Sequence, residues 1–184
     1  MRVVAGELRG RRIEAPPGTD TRPTTDMVRE AVFNALGSLD LLHGAAVADL
    51  FAGTGALGIE AISRGAAHCT FIERDRTALR ALKANIDHLG IEGRTRTMPG
   101  DALVLARGLN VDIVFADPPY QFDQWAALLA AVSAPFVVAE SGHALAPIDG
   151  WEITRSKRYG RSWLTFFERI DAADEPSAVP CGDP

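Results

Sequence analysis

Apolar and amphipathic segments alternate along the middle of the chain. Five segments have the length of short strands, and most of them are apolar on both faces, as in a parallel sheet that helices cover. They span residues 45–51, 67–73, 94–99, 111–117 and 135–141. Helical periodicity fills the intervals, at residues 55–65, 76–90, 101–108 and 122–132. The alternation predicts right-handed crossovers and an open, Rossmann-like α/β sheet, mostly parallel, with helices on both faces.

Two hairpins and one helix are predicted outside this alternation. Residues 2–6 and 11–16 form a candidate N-terminal β-hairpin, and residues 24–36 indicate an amphipathic helix capped by Thr24 or Thr25. Residues 151–157 and 162–169 predict a C-terminal antiparallel hairpin that completes a seven-stranded sheet. We therefore expect three regions. These are a basic hairpin arm at 1–20, one folded domain at 21–170 and a disordered acidic tail at 171–184.

Composition limits the class of protein. The chain has 184 residues, 47% of them hydrophobic, which is enough for one well-formed core. It has no apolar run of the roughly 18 residues that a membrane span needs, and its arginine-rich start is unlike a signal peptide. The two cysteines indicate no disulfide framework, and the four histidines lack the spacing of metal ligands. We expect a monomeric, cytoplasmic protein without a metal or a membrane partner.

The charge is unevenly distributed. A net charge of −5 argues against indiscriminate nucleic-acid binding, yet residues 1–12 contain four arginines and one glutamate, a net +3 that leaves −8 for the remainder. Two basic clusters are candidates for RNA contact, although the first could equally be a solvated surface. The first comprises Arg2, Arg9, Arg11 and Arg12, and the second comprises Lys157, Arg158 and Arg161 with Tyr159 between them.

A glycine-rich loop follows the first long strand. Gly53, Gly55 and Gly58 have the spacing G-x-G-x-x-G, and a helical segment follows. Glycines at these positions let the backbone approach a ligand closely, and the start of the helix offers free N–H groups. The motif alone fits a dinucleotide site, a nucleoside site or close packing of helix on strand.

Acidic residues at four predicted strand ends strengthen the case for a ligand site. Asp49 precedes the glycine loop, Glu73 lies 20 residues after Gly53, and Asp101 and Asp117 follow the third and fourth strands. Such positions converge on one crevice beyond the carboxyl ends of the strands. A carboxylate at Glu73 can accept both hydroxyls of a ribose, and an acid at Asp49 suits a cationic amino-acid end better than a pyrophosphate. S-adenosylmethionine has both features, although each acid alone could be a helix cap or a solvated turn.

The segment Asp117-Pro118-Pro119-Tyr120 ends the fourth predicted strand. Two consecutive prolines remove two backbone donors beside a carboxylate and an aromatic ring. Such a tetrapeptide offers hydrogen-bond acceptors and a flat stacking surface, and the alternative interpretation is a rigid turn.

Together these motifs resemble a known family. DLFAGTGALGIEA, the acid in FIERD, GDA and DPPY are similar to class I S-adenosylmethionine-dependent methyltransferases that act on exocyclic amines. RVVAGELRGRRIEAP and RPTTDMVREAVFN narrow the resemblance to bacterial 16S ribosomal RNA guanine-N2 methyltransferases of the RsmD type, which modify guanine 966. The resemblance covers residues 1–169. DPPY alone does not specify the base, because adenine-N6 methyltransferases of DNA also carry it.

The resemblance implies roles for named residues. It assigns Asp117, Pro118, Pro119 and Tyr120 to catalysis, with the aspartate and the Pro118 carbonyl as acceptors and the ring as a stacking surface. It places Glu73 on the ribose, Asp101 and Ala102 on the adenine, and residues 22–25 over the methionine end. The full set of expected cofactor residues is Arg22, Thr24, Thr25, Asp49, Phe51, Ala52, Gly53, Thr54, Gly55, Glu73, Arg74, Asp101 and Ala102. The implied partner is 16S ribosomal RNA within an assembled or partly assembled 30S particle.

Three other functions stay open at this point. An NAD-dependent oxidoreductase could use the same sheet, but it leaves DPPY without a role. A non-catalytic RNA-binding or assembly protein would not need the intact tetrapeptide. A DNA adenine-N6 or other nucleic-acid amino-methyltransferase would keep the chemistry and change the substrate.

Overall fold

A seven-stranded sheet organises the computed structural model, which describes residues 1–15 and 26–170. The strands are β1 (Ala46–Leu50), β2 (His68–Glu73), β3 (Thr95–Pro99), β4 (Ile113–Ala116), β5 (Phe136–Ser141), β6 (Trp151–Tyr159) and β7 (Ser162–Arg169). Their order across the sheet is β3-β2-β1-β4-β5-β7-β6. Strands β1 to β5 pair in parallel, while β7 pairs antiparallel with both β5 and β6. The predicted fold class is confirmed, including the C-terminal hairpin.

Helices pack on both faces of this sheet. The helices are α1 (Asp26–Ser38), α2 (Ala56–Ser63), α3 (Arg76–Leu89), α4 (Ala102–Leu105) and α5 (Trp125–Ala131), and a short 3₁₀ turn spans Glu92–Arg94. Buried residues of α1, α2 and α3 form one apolar cluster, and those of α4 and α5 form the other. Both faces of the central parallel strands are therefore covered, which explains why β1, β2, β4 and β5 are apolar on both sides, unlike the edge strand β3.

Local sequence sets the ends of several helices. Asp75 caps α3, since its carboxylate accepts the N–H groups of Thr77 and Ala78, and Gly90 ends the helix in the left-handed region, as predicted. Helix α4 is a single turn, shorter than the predicted 101–108. The strand predicted at 111–117 spans only Ile113–Ala116, and the N–H of Asp112 just before it donates to the Ala46 carbonyl.

The N-terminal segment forms a shorter hairpin than predicted. Arg2 and Arg12 form one antiparallel bridge, flanked by hydrogen bonds from the N–H of Val3 to the Arg11 carbonyl and from the N–H of Ile13 to the Met1 carbonyl. The pairing ends after Val3, where the N–H groups of Val4 and Ala5 donate instead to the Glu60 carboxylate on α2, at 2.8 and 2.9 Å.

Residues 1–15 are docked on the folded body and do not project from it. Val3, Leu8 and Ile13 are buried in the same apolar cluster as α1, α2 and α3. Glu60, itself fully buried, also pairs with Arg29 of α1 at 3.5 Å and with Arg64 at 2.7 Å. The buried ion pairs therefore tie α1, α2 and the N-terminal segment together.

Within residues 1–15 and 26–170, no helix is both long and apolar enough to cross a membrane. The expected disordered tail at 171–184 lies outside the described residues, as do Thr24 and Thr25, the predicted caps of α1.

Candidate active site

A cleft of about 440 Å³ opens at the carboxyl ends of β1, β2 and β4. Its volume is within the range of roughly 300–1,000 Å³ that is usual for ligand pockets. The predicted residues that line it are Phe51, Ala52, Gly53, Thr54, Glu73, Arg74, Asp101, Ala102, Asp117, Pro118, Pro119 and Tyr120. The structure therefore brings most of the predicted cofactor and catalytic residues to one place, as expected at the switch point of an open α/β sheet.

Glu73 anchors the glycine loop to the end of β2. One carboxylate oxygen, Oε2, accepts the N–H of Gly53 at 2.8 Å, and Oε1 accepts the N–H groups of Arg74 and Asp75, both at 2.7 Å. A side chain at position 53 would meet nothing nearer than the Phe51 carbonyl oxygen at 4.0 Å. The backbone face of Gly53 is therefore open to a ligand that Glu73 can also reach.

The other two glycines of the motif serve packing. Gly55 has φ +86° where α2 begins, and a side chain there would lie 2.5 Å from Leu82. A side chain on Gly58 would lie 2.3 Å from Phe71 and 2.5 Å from Cys69. The spacing of the motif thus reflects ligand access at Gly53 and close contact of helix and strand at Gly55 and Gly58.

Asp49 lies behind the glycine loop and is not among the residues that line the cleft. Its side chain is buried and accepts the N–H of Gly58 at 2.9 Å. Burial raises the pKa of the Asp49 carboxyl well above its usual range, and the negative charges of Asp117 and Glu73 raise it further, against the lowering effect of the Gly58 hydrogen bond. A cationic ligand nearby would lower this pKa again. That Asp49 attracts the cationic amino-acid end of a ligand stays a prediction.

Phe51 holds an unusual backbone conformation at the cleft. Its φ is +69°, a value that side-chain-bearing residues seldom adopt. The ring packs edge-on against Phe122 at 5.3 Å between centroids, and Phe122 packs in the same way on Trp125 at 5.1 Å. These aromatic contacts link the first cleft loop to the segment after the tetrapeptide and hold the strained turn in place.

Asp101 both caps a helix and lines the cleft. It caps α4 by accepting the N–H of Leu103 at 2.8 Å, and it also lines the cleft. Its other oxygen lies 3.9 Å from the Arg74 guanidinium in an exposed ion pair. The cap fixes the carboxylate just after β3, in the same cleft as Glu73.

The tetrapeptide separates the large cleft from a smaller pocket. Asp117, Pro118, Pro119 and Tyr120 line both spaces. The Pro119 carbonyl accepts the N–H of Phe122 at 2.8 Å, which closes a turn and holds the segment at the end of β4. Pro118 is buried, whereas the Tyr120 ring is half-exposed.

The two basic clusters lie on exposed surface. All seven of their predicted arginines and lysines are exposed. Arg11 donates to the His88 carbonyl at the end of α3, and Arg2 donates to the Gly10 carbonyl. The turn between β6 and β7 projects from the same edge of the sheet as the cleft, because Trp163 pairs with Ser141 at the end of β5.

Some predicted residues lie elsewhere. Arg22, Thr24 and Thr25 fall outside the described residues, and Gly55 is at the start of α2 but not among the lining residues. Across the described ranges, no group of three or more His, Cys, Asp or Glu side chains could hold a metal ion.

Four residues that line the smaller pocket beyond the tetrapeptide were not among the predicted site residues. Glu140, Ser141, Gly142 and His143 at the end of β5 belong to this group. The signal was present, since Glu140 is an acid at the end of an apolar strand, as Glu73 and Asp117 are.

The polar groups in the cleft fit S-adenosylmethionine. Acidic groups at Glu73 and Asp101 can accept the hydroxyl and amine hydrogens of a nucleoside, and the open backbone at Gly53 can approach its amino-acid end. No phosphate-binding cation is needed for such a ligand. The acidic character of the lining is instead unfavourable to a pyrophosphate.

Proteins of similar sequence include two that are named as rRNA methyltransferases. Residues 1–168 match the family described as "Conserved hypothetical protein 95". A Bacillus subtilis (strain 168) protein named "Putative rRNA methyltransferase YlbH" is 34% identical over 184 residues, which cover 92% of this chain and 99% of that protein. The "Ribosomal RNA small subunit methyltransferase D" of Escherichia coli (strain K12) is 41% identical over 123 residues, covering 66% of this chain and only 61% of that relative.

Solved structures share the fold. An Escherichia coli structure described as "Putative methyltransferase yhhF" has a TM-score of 0.81 and 33% identity, over 92% of this chain and 97% of that one. The magnesium protoporphyrin IX methyltransferase of Synechocystis PCC 6803, with bound S-adenosylmethionine, has a TM-score of 0.64 at 15% identity, over 78% and 79% of the two chains, and shows the fold alone. The resemblance stated from the motifs is confirmed: the chain has a class I methyltransferase fold and belongs to the conserved hypothetical protein 95 family.

Proposed function

We propose that this protein transfers a methyl group from S-adenosylmethionine to the N2 amine of a guanine in 16S ribosomal RNA. The observation that carries the proposal is the position of the Asp117–Tyr120 tetrapeptide. It borders the cleft that holds Glu73 and Asp101, so an amine bound at the tetrapeptide faces the cofactor site. The two relatives named as rRNA methyltransferases support the choice of RNA as the substrate class.

The cofactor is S-adenosylmethionine, which supplies a methyl group on a cationic sulfonium when it is bound. We propose that Glu73 accepts a ribose hydroxyl, that Asp101 and the Ala102 backbone contact the adenine, and that the loop at Gly53 contacts the amino-acid end. Phe51 lines the cleft with its strained turn, so its ring restricts where the ligand can lie.

The tetrapeptide would prepare a poor nucleophile. The lone pair of a guanine amine is delocalised into the ring, but two acceptors can hold its N–H groups and turn the lone pair toward the methyl carbon. Asp117 and the Pro118 carbonyl are the proposed acceptors, because the Pro119 carbonyl already accepts the Phe122 N–H. Positioning of this kind contributes up to about 7–11 kcal/mol.

Methyl transfer is then a direct displacement at the methyl carbon. The new bond joins nitrogen to carbon, the sulfur–carbon bond breaks, and sulfur keeps its electron pair and becomes a neutral thioether. Positive charge grows on the amine nitrogen, where the Asp117 carboxylate stabilises it and accepts the departing proton. Tyr120 would stack on the base after the nucleotide has left its own helix or stack.

Substrate contact beyond the base would come from the two basic clusters. Their side chains are exposed, and the β6–β7 turn projects from the edge that carries the cleft. Phosphate contacts of this kind give sequence-independent affinity that falls with salt. Because the net charge of the chain is −5, we propose that specificity comes from the shape of RNA in an assembled or partly assembled 30S particle.

Tritium transfer from labelled S-adenosylmethionine tests this proposal. We expect labelling of 30S particles by the wild-type protein, none by Asp117→Ala, and much weaker labelling of a short single-stranded RNA or of DNA. Replacing Arg9, Arg11 and Arg12 by glutamine should lower labelling of the particle and flatten its salt dependence, with unchanged binding of S-adenosylhomocysteine. Equal labelling of particle and short RNA, unaffected by the arginine changes, would show that neither the clusters nor the particle selects the substrate.

A further inference from the structure

A second carboxylate lies beside Asp117 at the same end of the sheet. Ala116 of β4 pairs in register with Ala139 of β5, so Asp117 and Glu140 are the next residues along two neighbouring parallel strands. Alternation along a strand directs these two side chains to the same face. Glu140 is only 4% exposed, which is rare for a glutamate.

Glu140 contributes to the small pocket on the far side of the tetrapeptide. This pocket has room for about 10 Å³ and is bounded by Asp117, Tyr120, Trp125 and Gly142 among others. It is large enough for an atom or two at the edge of a base, not for a whole ring. The pocket therefore suits recognition of a base edge whose amine is already held by Asp117.

The Tyr120 ring is one of the groups that line this pocket. A side chain on Gly142 would lie 2.8 Å from its Cδ1 and 3.2 Å from its Cε1. One part of the ring therefore rests on the Gly142 backbone. The ring is also half-exposed, so it can take a base next to the Glu140 carboxyl group.

Nothing in the tetrapeptide distinguishes one amine-bearing base from another. Guanine, adenine and cytosine all present an exocyclic amine, but the ring nitrogen next to that amine differs. In guanine the amine-bearing carbon lies between N1–H, a donor, and N3, an acceptor, whereas in adenine and cytosine its single ring-nitrogen neighbour, N1 or N3, is an acceptor. An acceptor placed beside Asp117 therefore favours guanine and is unfavourable to the other two.

We propose that Glu140 is the residue that selects guanine, by accepting the N1–H of the base whose N2 amine is held by Asp117. An ionised carboxylate can only accept hydrogen bonds, so it would face a lone pair if adenine or cytosine entered. Its burial strengthens this discrimination, because an unpaired acceptor in a dry site is costly. This inference rests on the proposed methylation of a guanine N2 amine.

The test uses 2-aminopurine, which keeps the N2 amine but has an acceptor at N1. Small-subunit particles would be reconstituted with RNA carrying guanine or 2-aminopurine at the position that the wild-type protein methylates. The variant is Glu140→Gln, which keeps the shape of the side chain and can donate an N–H to the N1 of 2-aminopurine. Glu152→Gln on the exposed part of β6 is the matched control.

We expect wild type and Glu152→Gln to prefer guanine strongly in kcat/KM. In Glu140→Gln the ratio of guanine to 2-aminopurine should fall by about 10- to 100-fold, the usual effect of one hydrogen bond to a charged group. Damage to the fold would lower both rates together and leave the ratio unchanged, and thermal unfolding would report it separately. An unchanged ratio with active enzyme would overturn the role of Glu140. Absence of guanine methylation by the wild type would instead refute the proposed function.

Discussion

Replacement of Glu73 by alanine probes the cofactor site through one carboxylate. An ionised carboxylate has about four acceptor positions. Three are used within the protein, by the N–H groups of Gly53, Arg74 and Asp75. About one position is left, on Oε2, so the structure supports one strong hydrogen bond to the ribose instead of the two that the sequence suggested.

The size of the effect follows from that count. Losing one hydrogen bond to a charged group costs about 1.5–3 kcal/mol, and loosening the Gly53 N–H adds about 0.5–1.5 kcal/mol. The total of about 2–4.5 kcal/mol corresponds to a rise in Kd of about 30- to 2,000-fold. Calorimetric titration with S-adenosylhomocysteine measures this change.

Asp75→Ala is the control. Asp75 accepts two N–H groups at the start of α3 but is not among the lining residues, so its loss should cost about 1 kcal/mol of stability and leave affinity unchanged. A Kd for Glu73→Ala within threefold of wild type would refute the assigned contact. Equal weakening in both variants would attribute the effect to fraying of α3.

Three further predictions concern the surroundings of the site. Gly142→Ala should displace the Tyr120 ring and lower kcat/KM for the particle about tenfold or more. The same change should have little effect in a Tyr120→Ala background. Gly93→Ala is the control and should be neutral in both backgrounds, because a side chain at position 93 meets no atom within 4 Å. Denaturant titrations over a range of pH should show Asp49→Asn becoming more stable relative to wild type as pH rises from about 4 through the raised pKa of native Asp49. The reason is that the wild-type protein must then ionise a buried acid, whereas the variant has none. A difference in stability that does not change with pH would contradict this explanation. Glu60→Ala should lower the free energy of unfolding by about 3–5 kcal/mol, because it leaves a buried arginine poorly compensated, and a loss below 1 kcal/mol would argue against the network.

The strands and the cleft could be predicted because their signals are local. Apolar segments of strand length, a glycine loop and acids at strand ends define where a parallel sheet gathers its side chains. Glu73, Asp101 and Asp117 therefore converge as expected. The early end of the N-terminal hairpin could not be predicted, since it depends on Glu60, which is 56 residues from Val4 and accepts the N–H groups of Val4 and Ala5.

The positions of the Asp49 and Glu140 side chains also could not be predicted from the local sequence. Asp49 is on the same face of the sheet as Glu73 and Asp117, but it pairs with Phe71 and Phe115, two residues before those acids, and so lies beneath the loop against Gly58. Glu140 could not be placed beside Asp117 without the order of the strands, because β4 and β5 pair only through tertiary structure. Register, more than residue type, decides which acids face a ligand.

The identity of the methylated nucleoside tests the central claim most directly. Unmethylated 30S particles would be incubated with the protein and isotope-labelled S-adenosylmethionine, and the RNA would be digested and separated by mass spectrometry, with Asp117→Ala as the inactive control. The proposed function predicts labelled N2-methylguanosine from 16S ribosomal RNA with the wild-type protein and none with the variant. Label in N6-methyladenosine, or no label in any nucleoside under conditions where the cofactor binds, would contradict it.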